Sequence, residues 1–213
     1  MRGDDIPLAI WTSHRAVACH ALAQGFRHVL ILEDDATFSR PWPQLAPRVA
    51  AAIAELPEDW WALYLGHWPL QGYFERPTIM RVRSVCAHAY LAGPQLLQWL
   101  AATEPMRPDV PVWPGISSSV DGAFANLPGM YAMFPMIATQ RFMGAHRPDR
   151  HFAPDGKRRG LLEKERYGAF AIYHLMRPAE LAVALLSPIH RLVMERRRPT
   201  NQPPPGAGGS ASP

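Results

Sequence analysis

Cysteine is scarce. Cys19 and Cys86 are the two thiols in 213 residues, and no C-x-x-C spacing occurs. Neither a disulfide framework nor a thiolate zinc site is therefore expected. Long apolar runs are also missing. None approaches the roughly 20 residues of a membrane span, and the most apolar late stretch, AELAVALLSPIHRLV, is cut by Pro188 and His190. The opening MRGDDIPLAIW has two early aspartates and too short an apolar stretch for a signal peptide. The cytoplasm is the default compartment. No internal repeat is visible.

What is present suits one domain with appendages. Hydrophobic residues make up 48% and charged residues 19%, enough to bury a sizeable core. The formal net charge of +4 and a pI near 9.4 admit an anionic partner without naming it. Residues 1–140 read as the core. Residues 141–198 read as a basic segment followed by helices broken near Pro178 and Pro188. Residues 199–213, PTNQPPPGAGGSASP, read by composition as a disordered tail.

Within the core, a helix is expected from about Trp11 to Gln24, capped by Thr12 or Ser13 and stopped by Gly25. The strand His28–Glu33 follows at once, which suggests an α/β unit with a parallel strand. A second helix ends near Leu56, before Pro57. WALYLG reads as a buried strand closed by Gly66, and TIMRVRSV and CAHAYLAG as two more strands. Pro94 opens a helix. SSSVDGAFANL reads as a loop and a short helix, and MYAMFPMIATQ as a last strand made irregular by Pro135.

The segment RHVLILEDDATF poses the functional question. Four apolar residues, Val29 to Leu32, run into Glu33, Asp34 and Asp35. Like charges so close repel, and each resists leaving water. Ligands of parallel α/β sheets bind at the carboxyl ends of strands, and oxygen donors there suit magnesium or manganese. Such an ion keeps one or two protein carboxylates and completes its shell with water and phosphate oxygens. The cluster thus reads as half of a metal–diphosphate site. The alternative is a solvated acidic turn in which Asp35 caps the next element.

These residues carry a resemblance. TSHRAVACHALAQGFRHVLILEDDATF resembles the signature segment of glycosyltransferase family 25, the lipopolysaccharide and lipooligosaccharide glycosyltransferases related to collagen galactosyltransferases. Ser13, His14, Gly25 and Glu33-Asp34-Asp35 fit its pattern. DWWALYLG, AHAYLAGPQLLQWL, SVDGAF and MYAMFPMIATQ resemble later motifs, collinear from about Trp11 to Gln140. The resemblance implies a glycosyltransferase-A type, Rossmann-like mixed sheet flanked by helices. It also implies a nucleotide-sugar donor, commonly a UDP-hexose, a divalent metal and an inverting transfer. Asp35 with Glu33 or Asp34 would hold the metal, and Ser13, His14, Asp34 and Asp35 would face the donor. Family members carry a further N-terminal stretch before the Ser-His segment, whereas Met1 here lies twelve residues before Ser13. The first nucleotide-binding strand is therefore expected to be missing, leaving an exposed sheet edge.

An inverting transfer needs a base for the acceptor hydroxyl. Asp121 is the candidate, with a helix N-cap as its alternative role. His14 would bond the diphosphate or hold the acidic loop. His88 and Tyr90 share a strand face by spacing, and Trp60, Trp61, Trp68 and Tyr73 offer rings for sugar stacking or for the core. The acceptor expected is a surface glycan or lipid-linked saccharide. A non-catalytic remnant that binds glycan or a partner is the competing reading. A metal-dependent phosphoesterase would need more ligands than His67 supplies, and the run Arg141–Arg159 shows no nucleic-acid motif. LAVALLSPIHRLVMERRR, apolar with a basic end, suggests peripheral contact with an anionic membrane face.

Overall fold

The computed structural model describes residues 6–104, 120–140, 178 and 180–196. The basic segment 141–177 and the tail 199–213 lie outside the described residues.

Helix α1, Ile6–Ala23, starts earlier than expected. Thr12 and Ser13 are not caps. They sit inside the helix, and their hydroxyls donate to the carbonyls of Leu8 and Ala9 one turn back. The stop is as read: Gly25 takes φ +74°, its N–H reaches Leu22, and the Phe26 N–H reaches Ala21. That pair of bonds is a Schellman ending, which needs the left-handed residue that glycine supplies without strain. Strand β1, Val29–Leu32, follows.

Strand β1 is not parallel to its neighbour. It pairs antiparallel with β4 (Ile79–Ala92), Val29 opposite Ala92 and Leu32 opposite Ala89. The helix-then-strand order misled because α1 leads into an edge strand rather than crossing between two parallel ones. Among the described residues β4 is the sole partner of β1, and Leu30 and Leu32 are exposed.

Strand β2, Ala36–Phe38, and helix α2, Trp42–Glu55, come next. α2 turns Leu45, Val49 and Ala52 inward, a four-then-three spacing that keeps one face apolar. It ends at Leu56, whose extended backbone suits the residue before Pro57. The main sheet then departs from the sequence reading in two ways. WALYLG does not end at Gly66, because strand β3 runs on from Ala62 to Arg76. The two following strands are one continuous β4, which folds back on β3 as a long hairpin. Gly66 marks close packing rather than a stop. A Cβ there would run into the Ala138 carbonyl and the His88 imidazole.

Helix α3, Pro94–Ala102, is followed by the short α4, Val120–Phe124. The last expected strand is two, β5 (Met130–Met133) and β6 (Ala138–Gln140), separated by a cis Phe134–Pro135 bond. The main sheet runs β1-β4-β3-β5. β5 is parallel to the start of β3, and its other edge pairs antiparallel with the start of β4, from Ile79 to Arg81. The hairpin therefore curls until its tip reaches β5, and β3, β4 and β5 form a closed ring. Register shifts along β3 and β4 provide the bend. β2 and β6 make a separate antiparallel ribbon, tied to β3 by the Ile137 N–H donating to Leu65.

The fold is thus a mixed α/β sheet with helices on both faces. Trp11, Ala18, Tyr64, Tyr90, Leu96 and Phe124 pack on the α1–α3–α4 side. Leu45, Val49, Leu63, Leu65, Tyr131 and Ile137 pack on the α2 side. Trp61 joins the first cluster and Trp60 the second, the opposite-facing arrangement that adjacent positions require. A helical segment at 180–185 and helix α5, Ser187–Arg196, complete the described chain and lie against β3.

Candidate active site

Glu33 leaves β1 with its N–H still donating to the His88 carbonyl, so the sheet fixes where the acidic turn begins. The Ala36 N–H closes the turn onto the Glu33 carbonyl at 3.1 Å. The three carboxylates then part. Glu33 is half-buried, Asp34 is exposed and Asp35 is buried at 8% exposure.

His14, buried on the inner face of α1, stands behind Glu33. Its Nε2 lies 3.4 Å from Glu33 Oε1 and its Nδ1 lies 2.7 Å from the Tyr90 hydroxyl. The imidazole stacks on Tyr90 and meets Phe124 edge-on. This placement links His14 to the acidic turn. Ser13, one residue earlier, is exposed on the other side of α1, its hydroxyl engaged by Ala9. The structure does not bring Ser13 to the carboxylates.

Asp121 approaches from α4. Its Oδ1 accepts the Ala87 N–H at 2.7 Å. Burial pushes its carboxyl upward, and the nearby Glu33 adds to that, while the Ala87 bond and His14 pull the other way. The Ala87 N–H is available because Cys86, at φ +69°, is left-handed. Three β4 residues, Cys86 to His88, oppose a single β3 residue between the register pairs Gly66–Ala89 and Trp68–Val85. A bulge of that kind re-aims the strand, and a non-glycine residue in the left-handed region is the sort of strain that collects at functional sites.

Cys86 thereby becomes the meeting point. Burial pushes its thiol up to about 12, with Asp121, Glu33 and Asp35 each contributing in that order. Four acidic side chains from β1's turn, β4 and α4 thus share one neighbourhood. Such a thiol is protonated at neutral pH, so it is neither a nucleophile nor a thiolate ligand there. Reaction with a disulfide reagent at pH 8 is expected to modify the exposed Cys19 promptly and Cys86 only after denaturant is added. Two fast equivalents in native buffer would contradict this burial.

Tyr64 and Tyr90, both fully buried, line the inner wall. Burial and then Asp121 raise Tyr64, while burial, Glu33 and Asp121 raise Tyr90. His88 faces the β2–β6 ribbon, beside the carbonyls of Ala138 and Cys86, and burial holds it down to about 4. His67 is deeper, stacked on Tyr64, and held down to about 3 by burial and by His88. Its Nε2 is 3.7 Å from Glu180 Oε1, too far for a hydrogen bond, and that oxygen accepts the Met136 N–H at 2.9 Å. His67 is therefore a neutral ring beside a carboxylate, not half of an ion pair, at neutral pH.

Among the described residues no three His, Cys, Asp or Glu side chains lie close enough to share one ion. Trp68 is exposed on β3, and Tyr73 is buried, which leaves Trp68 the freer ring for a sugar face. A cleft of about 80 Å³ opens just beyond α4, where Arg81 pairs with Asp59 and Arg83 donates to Ala125 and Asn126.

Sequence reasoning named Glu33, Asp35, His14 and Asp121; the fold sets His14 against Glu33 and puts Glu33, Asp35 and Asp121 within electrostatic reach of Cys86. It missed Cys86, because nothing in Ser84-Val85-Cys86-Ala87-His88 announces a left-handed residue. It also missed the His14–Tyr90 bond, which joins residues 76 positions apart. A scan against protein-family models found no match, and a search of curated proteins found none either.

Proposed function

We propose that the chain is a glycosyltransferase-A type enzyme, moving a hexose from a UDP-linked donor to a surface glycan or lipopolysaccharide acceptor with inversion. The observation that supports this best is the approach of Glu33 and Asp35, from the turn after β1, and of Asp121, from α4, to Cys86 on β4. Carboxylates so placed lose free energy by ionising together, and a cation with a diphosphate gives the arrangement a use.

The donor set fits a hard ion of the magnesium or manganese class, because its oxygens come from carboxylates and the thiol stays protonated. Asp35, with Glu33 or Asp34, would hold that ion in company with water and diphosphate oxygens, the low protein-ligand count usual for such ions. Bound there, it would supply charge neutralisation for the departing diphosphate. His14 keeps Glu33 in place by bridging it to Tyr90. Asp121 takes the acceptor hydroxyl proton. Its raised carboxyl is a stronger base than an ordinary aspartate, which suits that role.

The competing reading, a non-catalytic remnant that binds glycan, draws on the burial of Asp35 and Tyr90 inside packed side chains. Calorimetric titration with UDP separates the two. Heat that requires manganese and disappears in Asp35→Ala is expected. Folded wild-type protein that gives no heat with manganese would sink the transferase reading and leave the remnant.

A further inference from the structure

The C-terminal helices leave their largest aliphatic side chains in solvent. A helix lying on a protein normally buries its apolar stripe and shows its polar one. Here Glu180 and Ala184 are buried, and Val183, Ser187, His190, Val193 and Met194 are half-buried, so the inward face mixes polar anchors with small apolar contacts, Val183 packing on the core. The opposite face carries Leu181, Leu185, Ile189 and Leu192, with Leu186 beside them. These five are 53%, 73%, 60%, 60% and 48% exposed.

The rotation is fixed by specific bonds rather than by sliding contact. Glu180 accepts from Met136, and the Ser187 hydroxyl accepts the Phe74 N–H at 2.9 Å. The His190 Nδ1 lies 3.3 Å from the Gly72 nitrogen and 3.1 Å from its carbonyl oxygen, and Arg191 stacks over Tyr73 at 5.4 Å. Pro188 lacks the N–H that would continue the helical ladder from Ala184, which accounts for the turn at Leu186. The bonds from Leu186 to Ala182 and from His190 to Leu186 carry the ladder across that turn. Rolling the leucines inward would break the polar anchors, so the stripe stays outward.

Charge selects the occupant. Beyond Arg191, which stacks on Tyr73 and pairs with Glu195, the sequence runs Arg196-Arg197-Arg198 with no acidic side chain after them. An apolar stripe ending in a cationic cluster matches the interface of a bilayer containing anionic lipid, where leucines enter the acyl boundary and arginines meet headgroup phosphates. No described helix is long and apolar enough to cross a membrane, so the contact is one of lying on the surface. We propose that the outward stripe Leu181–Leu185–Ile189–Leu192, with the arginines that follow it, docks the protein on an anionic membrane surface. This does not depend on the glycosyl-transfer reading.

Co-sedimentation tests it with the full chain and two vesicle preparations, phosphatidylcholine alone and phosphatidylcholine with about 30% phosphatidylglycerol. Wild-type protein is expected to pellet with the anionic vesicles, less so as salt rises, and to stay in solution with the neutral ones. Leu185→Gln with Ile189→Gln, both solvent-facing, is expected to lower partition at least about tenfold while leaving circular dichroism and thermal midpoint unchanged. Wild-type protein that remains in the supernatant overturns the proposal. So does a double variant that binds as well as wild type. A wild-type dimer in solution that the double variant converts to monomer, with no vesicle binding, overturns it as well and assigns the face to a second copy.

Discussion

Acidification from pH 6.5 to 4.5 is expected to remove about 4 kcal/mol of folding stability through two histidines, His67 and His88. Both are buried, and burial holds them down to about 3 and about 4. A histidine held below its ordinary value of about 6.5 is neutral in the fold and takes up a proton when the chain unfolds. Its contribution is fully present above about pH 6.5 and is lost as pH falls toward the folded value. Each site in that window changes stability by about 1.4 kcal/mol per pH unit, and the two add because neither titrates in the fold until the lower limit. Asp121 works in the opposite sense, since a carboxyl raised by burial gains a proton more readily folded than unfolded. Urea midpoints followed by tryptophan fluorescence across this range measure the slope. His67→Phe, which keeps a ring against Tyr64, is expected to remove about half of it. A flat wild-type profile down to pH 5 would mean that both imidazoles are already charged in the fold, and half the slope that one is, with Glu180 the carboxylate beside His67.

Replacing Asp121 by Asn separates chemistry from structure. The amide oxygen can still accept the Ala87 N–H, so the β4 bulge keeps its anchor. The proposed base is gone, however, and on that reading transfer to the acceptor is expected to fall by about 10²- to 10⁴-fold. UDP affinity is expected to hold, because the proposal puts the donor at the acidic turn after β1 rather than at α4. Stability at neutral pH is expected to rise. Burial and Glu33 disfavour the ionised carboxyl, and an uncharged amide does not meet that opposition. A variant with a higher thermal midpoint, unchanged UDP heat and lost transfer would give Asp121 a functional role maintained against stability. Unchanged transfer would place the base elsewhere. A lower midpoint would mean that the carboxylate helps hold the fold.

The sequence made the helices more legible than the sheet, and for physical reasons. α2 and α3 follow from spacing, proline and local stops, all of which act within a few residues. Gly25 ends α1 by the same kind of local rule. The sheet is decided by partners far along the chain. That WALYLG continues past Gly66 depends on β4 lying alongside, and that Gly66 is a glycine depends on Ala138 and His88 crowding it. The direction of β1 could not be read from β1, because VLIL serves a parallel neighbour and an antiparallel one equally well. At the site, Glu33 to Asp35 stood out because charge after a buried run is unusual anywhere. Cys86 did not, since its backbone angle is imposed by the three-against-one register with His67 and by no residue preference of its own. Tyr90 looked like core and is core, and its hydroxyl nonetheless holds the histidine that holds Glu33.

The closed ring of β3, β4 and β5 bears on how the chain reaches this state. The β3–β4 hairpin joins neighbours in sequence and can form early, since little chain entropy is lost in pairing them. β5 arrives only after α3, α4 and the residues between them have been traversed, and it must enter between two edges that are already curled toward each other. Its insertion is a keystone step. Until it occurs, the start of β3 and the start of β4 each present an open edge, and the wall that carries Tyr64 is not yet held in place. The acidic turn can form locally, but Asp121, carried on the helix just before β5, reaches it only as the ring shuts. Assembly of the full carboxylate cluster therefore waits on completion of the fold, and a partly folded chain would hold the acidic turn without Asp121.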